Sequence, residues 1–509
     1  MCLPASQAGS LTNRSAIVHT TKGRYRHLSQ AQSSLDDQNA VPLCVDLDGT
    51  LVHTDVLIEA VFALLKRNVL YAVVLPFWVL KGKAYFKQQV AHRVKIDPSL
   101  LPYHEEFLAY LKAERSNGRR LVLATSSNIK FAERIARHLG IFDSVLASDA
   151  ENSLSGERKV EGIRKALGNS GFDYAGNSNV DLSVWPHARE AILVNPDRGV
   201  LTAAQKVAKV GSIFDDRASV VKSLLEAMRI HQWLKNALVF VPLFTAHQVG
   251  DLGLLSQAAL AFLSFSLCAS SVYLLNDLFD LESDRQHPTK RNRPFAKGSV
   301  SIHYGVALIP VLLLVAFAIA LLLPIEFIAV LAIYYVATLS YSLWLRRVVM
   351  LDVLVLAGLY TIRLIAGGAA VSITLSFWLL AFSMFLFLSL ALVKRYSELK
   401  VLSENTESEA WARGYRAGDL DALMSFGTAS GYIAALVLAL YINGDQVTEL
   451  YSYPQAIWPL CPLLLYWISR VWILARRGEL HEDPVLFAIR DRRSHLVAVI
   501  GLIMLWVAT

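Results

Sequence analysis

Charge is scarce in this 509-residue chain. Asp, Glu, Lys and Arg make up 18% of it, against about 25% in ordinary soluble domains. The shortage is uneven. Residues 1 to 230 are mixed in character, whereas 236 to 509 carry repeated apolar stretches of about 20 residues, long enough to cross a bilayer core. With 54% hydrophobic residues and a mean hydropathy of +0.41, the chain is therefore predicted to pair a globular half with a multi-span membrane half, the boundary falling near 205 to 228. Cysteine is also sparse. Cys2, Cys44, Cys268 and Cys461 show neither paired nor metal-ligand spacing, which excludes a disulfide framework and a zinc site. No acid precedes Asp36, and residues 1 to 38 are rich in Ser, Thr and Gln without a signal-type apolar core, so a disordered tail is expected. The net charge of +7 points to no nucleic-acid partner, because in a membrane protein the placement of basic residues matters more than their sum.

That placement is ordered. Nine apolar segments are expected, near 236 to 246, 255 to 275, 303 to 323, 325 to 345, 349 to 370, 373 to 393, 423 to 441, 456 to 475 and 494 to 508. Lys and Arg gather after the second, fourth, sixth and eighth, and are missing from alternate connections such as NGDQVTEL. The positive-inside rule then predicts cytoplasmic basic loops, a cytoplasmic N-terminal domain and an external C-terminus, in a bacterial inner (plasma) membrane.

The second segment runs into NDLFDLESDRQHPTKRNRP, residues 276 to 294. On a continuing helix Asn276, Asp277, Asp280 and Asp284 share one face, since spacings of three and four residues return to the same side. Carboxylates so clustered repel one another unless cations neutralise them. Oxygen ligands beside Lys290, Arg291, Arg293 and Lys297 suit Mg²⁺ holding a diphosphate whose remaining oxygens meet the basic residues. Further along, Asp352 and Arg363 fall inside the fifth segment as cavity or pairing residues. Arg229 and Lys235 sit at the entrance of the first segment, suited to phosphate or to interfacial snorkelling.

NDxxDxxxD after the second helix, MRIHQWLKN at 228 to 236 and the nine expected spans resemble the UbiA superfamily of intramembrane prenyltransferases over 225 to 509. The resemblance implies an all-helical bundle whose cavity binds a polyprenyl substrate, Mg²⁺ and phosphate groups. Members with a prenyl diphosphate donor carry a second Asp-rich motif after the sixth helix; here that position reads LVKRYSELK, with Lys394, Arg395 and Glu398. Replacement of acids by cations is similar to the decaprenyl-phosphate phosphoribosyltransferase branch. That branch implies phosphoribosyl pyrophosphate as donor, polyprenyl phosphate as acceptor, and Lys394 and Arg395 on the acceptor phosphate.

In the first half, VPLCVDLDGT at 41 to 50 ends a buried-strand pattern on two acids and a Gly-Thr turn. RLVLATSS, DSVLAS, FDYAGNS and EAILVN follow as further strand-like runs separated by helical stretches, predicting an α/β domain with a parallel sheet over 39 to 200, then a linker over 201 to 227. DLDGT and LATSS resemble the haloacid dehalogenase (HAD) superfamily, and the fold implied is a Rossmannoid domain with a helical cap at about 51 to 118. By that resemblance Asp46 is the nucleophile, Asp48 the general acid and base, Thr125 a phosphoryl-binding hydroxyl and Lys159 the charge-stabilising cation, with Lys165 a poorer candidate. Asp46, Asp48, Asn177 and Asp181 would hold Mg²⁺, although Asn177 stands where such phosphatases have an acid. VLYAVVLPFWVL, residues 69 to 80, is too short to span and reads either as a buried cap helix or as a segment in the membrane interface.

A transferase making a lipid-linked ribose 5-phosphate would leave a phosphomonoester of the kind a HAD phosphatase removes, so the two halves are expected to act in succession. Two alternatives stand beside this reading. One is an aromatic or quinone-type prenyltransferase with a prenyl diphosphate donor; the other is a non-catalytic transporter or scaffold with a regulatory HAD-like domain.

Overall fold

The computed structural model describes residues 41–508 apart from 150, 169–170, 406–413, 445–446, 448–450 and 481–482; the tail expected over 1 to 38 lies outside the described residues. Two compact units emerge: 41–51, 104–148 and 152–217 in one, and 52–103 with 218–508 in the other.

The first unit opens with β1 (Leu43–Val45), after which the chain leaves it for three helices, α1 (Val56–Arg67), α2 (Tyr71–Leu80) and α3 (Lys83–Arg93). It returns with α4 (Glu105–Ser116), β2 (Leu121–Asn128), α5 (Ile129–Leu139), β3 (Ser144–Ser148), α6 (Glu157–Leu167), β4 (Asp173–Gly176), β5 (Ala191–Val194), α7 (Val200–Val207) and β6 (Val210–Phe214). All pairings are parallel and the strand order is β3-β2-β1-β4-β5-β6. Helices on a parallel sheet bury both its faces, and this is why LCV, AILV and the first residues of LVLATSSN are continuously apolar. The expected linker over 201 to 227 is corrected. Its first part completes α7 and supplies β6, an edge strand whose alternating half-buried residues hid it among polar neighbours. The cap expected over 51 to 118 is also revised: α4 packs with the sheet, while 52–103 belongs to the membrane unit.

That unit continues with α8 (Val220–Ala227), a 3₁₀ stretch over Ile230–Phe240, and α9 (Val241–Thr245). Then come α10 (Leu252–Phe279), α11 (Leu281–Gln286), α12 (Pro294–Lys297), α13 (Ile302–Ala320), α14 (Ile325–Leu343), α15 (Leu351–Ala370), α16 (Phe377–Asn405), α17 (Leu420–Ile442), α18 (Leu460–Arg477), α19 (Pro484–Arg490) and α20 (Arg492–Ala508). Among the described residues seven helices are long and apolar enough to cross a membrane. The other two of the nine expected segments are helical but shorter. The first is split between the 3₁₀ stretch and α9, where Pro242 takes an N-terminal position, and the last is the 17-residue α20.

Within the bundle α10 and α15 bury 61% and 56% of their apolar windows but α13 and α14 only 22% each, so the first pair is central and the second faces lipid. In hydrocarbon, close backbone approach and interhelical hydrogen bonds replace the hydrophobic drive. Ser264 donates to the Ala316 carbonyl at 2.8 Å, and Ser389 to that of Gly427 at 2.7 Å. A Cβ on Gly427 would fall 1.9 Å from the Trp472 ring. Gly427→Leu is therefore expected to lower the midpoint of thermal unfolding in detergent, at a cost of about 1–3 kcal/mol from overpacking; an unchanged midpoint would show that the α17–α18 contact yields without strain.

Candidate active sites

The first cluster forms where α10 leaves the bundle. Asp280 closes this helix with φ −103° and ψ 10°, and α11 begins at Leu281. Helical hydrogen bonding still carries across the junction, the Asp280 N–H meeting the Asn276 carbonyl at 2.9 Å and the Asp284 N–H that of Asp280 at 2.7 Å, but the acids are shared among different cations. Asp277 and Asp284 converge on Arg293, whose Nη1 is 3.2 Å from Asp277 Oδ1 and 2.6 Å from Asp284 Oδ2. Asp277 pairs with Arg229 as well. Asp280 instead accepts a fork from Arg346 at 2.9 and 3.0 Å and an ammonium contact from Lys66 of α1 at 2.8 Å. Burial works to raise the Asp280 carboxyl, but Arg346 and Lys66 outweigh it and hold the group well below the usual carboxylate range. At Asp284 burial prevails over Arg293 and the carboxyl rises. Asn276 is half-buried beside them, Lys290 lies close enough to Asp284 to favour its charged form, and Arg291 and Lys297 are exposed.

These groups fit a divalent cation. Asp277 and Asp284 both offer an oxygen to one guanidinium nitrogen, so carboxylate oxygens suited to a hard divalent cation are gathered there and would be the residues to hold it.

A second, cationic cluster lies on the 3₁₀ stretch, α15, α16 and the turn before α19. Lys235 and Lys394 point their Nζ atoms at Asp483 Oδ2 from 2.8 and 3.2 Å, and the Tyr360 hydroxyl is 3.4 Å from Oδ1. Burial pushes Asp483 up, yet Lys394 and Lys235 more than compensate and keep it ionised. Arg363 donates Nε to Asn236 Oδ1 at 2.9 Å, and its guanidinium carbon is 5.3 to 5.4 Å from the ring centres of Phe265, Tyr334 and Tyr360. Such an aromatic enclosure keeps the cation buried without a carboxylate partner among the described residues.

Arg395 departs from its expected contact with an acceptor phosphate. It is 1% exposed, donates Nε to Asp352 Oδ2 at 2.8 Å and pairs also with Glu398, while the Tyr415 hydroxyl donates to Asp352 at 2.6 Å. One helical step past Lys394 turns Arg395 inward, so it ties α16 to α15 rather than facing the cavity.

In the first unit β1 delivers Asp46 and Asp48 at its C-terminal end. Lys159 Nζ on α6 is 3.0 Å from Asp46 Oδ1, and the Ser127 hydroxyl donates to Asp48 Oδ2 at 2.5 Å. Thr125, fully buried within β2, accepts from the Ser127 N–H at 3.0 Å. Burial raises the Asp46 carboxyl above its ordinary range, with Lys159 opposing. Desolvation would lower Lys159, but Asp46 and Asp181 reverse this and hold the ammonium charged. Lys165 is exposed and takes no part. Asp181, expected as a metal ligand, is hydrogen-bonded at both oxygens: Oδ2 accepts from Asn177 N–H, Ser178 N–H and Ser178 Oγ at 2.9 to 3.0 Å, and Oδ1 from Tyr174 at 2.8 Å. With both oxygens engaged, Asp181 shapes the loop and steadies Lys159, 3.9 Å away. Asn177 Oδ1 accepts from Thr50 at 3.2 Å. A Cβ on Gly49, at φ +76°, would meet Asn177 at 2.5 Å, so the turn after the acids needs glycine twice over. Asp46, Asp48 and the Asn177 amide remain as oxygen donors, a set one negative charge poorer than three acids.

Four site residues escaped the sequence reading. Lys66 and Arg346 lie 214 and 66 positions from Asp280, beyond any local pattern. Asp483 left a signal, an acid within HEDP amid a basic loop, and Ser127 is the last residue of the RLVLATSS run.

The UbiA prenyltransferase family model matches residues 237–490. A decaprenyl-phosphate phosphoribosyltransferase of Mycobacterium tuberculosis is 38% identical over 296 residues, covering 57% of this chain and 94% of that protein. The chain belongs to the UbiA prenyltransferase family. Its UbiA domain is preceded by a HAD-like domain, for which the haloacid dehalogenase-like hydrolase model matches residues 78–183, a span beginning after the DLDGT run. Protein y4nM of Sinorhizobium fredii is 35% identical over 464 residues, 90% of this chain and 89% of its own length, so the two-part arrangement recurs there. The nodulation protein NoeC of Azorhizobium caulinodans is 36% identical over 280 residues, 54% of this chain and 90% of its own. A UbiA homolog from Archaeoglobus fulgidus, solved with DMAPP and Mg²⁺, aligns with 15% identity and a TM-score of 0.43 over 56% of this chain and 97% of that one. Membership of the UbiA family makes the chain an enzyme-family member, the HAD-like domain resembles a hydrolase family, and UbiA homologues are integral membrane proteins.

The buried pair inside the UbiA domain gives a direct prediction. Asp352→Leu leaves Arg395 charged and without its buried partner, so it should cost about 3–5 kcal/mol, whereas Asp352→Leu combined with Arg395→Met should cost much less than the sum of those two single changes. Thermal unfolding of the four proteins in one detergent checks this; additive losses would mean the pair is not coupled.

Proposed function

We propose that the UbiA domain transfers 5-phosphoribose from phosphoribosyl pyrophosphate to a polyprenyl phosphate, and that the HAD-like domain then removes the 5-phosphate. The observation that carries this is the division of the UbiA site into an acidic cluster and a cationic one. Asp277, Asp280 and Asp284 form the first; Lys235, Lys394 and Arg363, with Asp483 among them, form the second. A prenyl diphosphate enzyme carries acids in both places, and here the second place suits an anion directly. The relatedness to decaprenyl-phosphate phosphoribosyltransferases supports the same reading.

Asp277, Asp280 and Asp284, with Asn276, would hold Mg²⁺, which when bound neutralises the departing diphosphate. Arg229, Arg293, Arg346 and Lys66, freed from the carboxylates they now neutralise, bind the remaining phosphate oxygens. Lys235 and Lys394 exchange Asp483 for the acceptor phosphate and aim its oxygen at ribose C1. The C1–O bond to diphosphate breaks, a C1–O bond to the acceptor forms, and diphosphate leaves. An apolar cavity of about 500 Å³, lined by Trp378, Phe382, Leu438, Tyr451, Leu464 and Leu505 among others, suits part of the polyprenyl tail.

In the HAD-like domain Asp46 attacks the 5-phosphate to form an aspartyl phosphate as the bond from phosphorus to the ribose oxygen breaks, and Asp48, oriented by Ser127, protonates that departing oxygen; Asp48 then takes a proton from the water that attacks the aspartyl phosphate, releasing phosphate and restoring Asp46. Lys159 offsets the negative charge, and Mg²⁺ would rest on Asp46, Asp48 and the Asn177 amide. The basic loops support a cytoplasmic setting for both sites at an inner membrane, with the C-terminus outside.

Purified protein in detergent, supplied with Mg²⁺, polyprenyl phosphate and radiolabelled phosphoribosyl pyrophosphate, should label the lipid. Asp280→Ala should lower labelling by at least ~100-fold, and chelation of Mg²⁺ should abolish it. Asp46→Asn should leave labelling intact but accumulate the 5-phosphorylated lipid. Failure to label under conditions where a prenyl diphosphate and an aromatic acceptor react would overturn the phosphoribosyl reading. At the cationic cluster, Lys394→Met should raise the KM for polyprenyl phosphate about tenfold, the loss of one charge-assisted hydrogen bond, with the KM for the donor unchanged; a change in the donor KM alone would reassign this lysine.

A further inference from the structure

Helix α2 fits neither a soluble cap nor a span. Its ten residues, YAVVLPFWVL, rise about 15 Å, half of a hydrocarbon core of roughly 30 Å, and include Pro76. Trp78 is its one buried residue. Leu70, Val73, Phe77, Val79 and Leu80 are 67%, 66%, 62%, 53% and 83% exposed, so apolar side chains project on every other side. In water so dense an apolar surface on one short helix is a liability.

Its position explains the surface. The preceding helix α1 is fixed to the last residues of span α10 by two contacts: Phe62 meets Phe279 edge-on at 5.5 Å, and Lys66 lies 2.8 Å from Asp280. A third contact, Arg285 to Glu59 at 2.9 and 2.5 Å, seats α1 on α11. Because α2 begins five residues after Lys66, its first turn is held near the end of a membrane span, on the side that carries the basic loops. Basic residues border it: Arg67 before, then Lys81 and Lys83, and Arg93 of α3 stacked over the Trp78 ring at 4.7 Å.

We propose that α2 lies along the bilayer surface, its Leu, Val and Phe side chains sunk among the acyl chains beneath the headgroups and Arg67, Lys81 and Lys83 facing anionic phospholipid phosphates. Apolar burial plus basic anchors is the combination that holds interfacial helices. The insertion from the HAD-like domain thereby becomes a membrane-seated part of the UbiA unit, independent of which donor that unit uses. Its docking fixes Lys66 beside Asp280.

The test uses the full chain in nanodiscs of mixed phosphatidylglycerol and phosphatidylcholine. Nitroxides are placed at Val73→Cys, Phe77→Cys or Leu80→Cys, with Glu106→Cys on α4 as an exposed reference, all in a Cys2→Ser background; Cys44, Cys268 and Cys461 are buried. Collision with oxygen, which concentrates in lipid, should exceed collision with a water-soluble nickel chelate several-fold at the three α2 positions and fall below it at 106. Nickel access at α2 equal to the reference would overturn the proposal, because the helix would then face water. Protection from both reagents with spin–spin broadening that grows with protein per disc would overturn it too, by showing a second copy of the chain on this face.

Discussion

Everything at the mouth of the UbiA domain depends on charge neutralisation at the end of α10. Three carboxylates stand where a transmembrane helix meets the basic side of the bundle, and two of them, Asp277 and Asp284, are nearly inaccessible to water. Carboxylates in that setting persist only if cations accompany them. The chain supplies four from four separate segments: Lys66, Arg229, Arg293 and Arg346. This cross-linking defines the geometry of the loop after α10, fastens the HAD insertion to the bundle, and leaves a set of oxygen donors whose partners a metal ion and phosphates can replace.

The cationic cluster obeys the same constraint with signs reversed. Lys235 and Lys394 share Asp483, and Arg363, lacking a carboxylate among the described residues, is enclosed by three aromatic rings and hydrogen-bonded to Asn236. Two lysines around one carboxylate leave an excess of positive charge, suited to an anionic guest. Arg395 illustrates the opposite use of charge. Fully paired with Asp352 and Glu398, and capped by Tyr415 on Asp352, it is committed to holding α15 and α16 together. Adjacent residues in LVKRYSELK therefore divide between site and scaffold, because a helix turns about 100° per residue.

In the HAD-like domain one acid supports the rest. Asp181 receives the N–H groups of Asn177 and Ser178 and the Tyr174 hydroxyl, and its charge together with that of Asp46 keeps Lys159 protonated in a buried setting. Asn177 is clasped between Thr50 and the glycine turn after Asp48, so its position is defined although it carries no charge.

Local pattern carried a good deal. Apolar runs of about 20 residues dictate helices in lipid, where backbone groups must be satisfied within the segment; short apolar runs ending in DLDGT and LATSS dictate strands of a parallel sheet; and the acids at 276 to 284 and the cations at 394 and 395 could be read from residue type and spacing. What the sequence by itself determined is accordingly the pair of domain types, the UbiA family of the second and the residue types from which each cluster is built. The tertiary structure alone decided which charges meet. It divided the acids after α10 between Arg293 on one side and Arg346 with Lys66 on the other, brought Lys66 across 214 positions, turned Arg395 into the core, added β6 to the sheet and assigned residues 52–103 to the membrane unit. The physical reason is the same in each case: periodicity is a property of neighbours along the chain, whereas neutralising a buried charge and pairing an edge strand depend on neighbours in space.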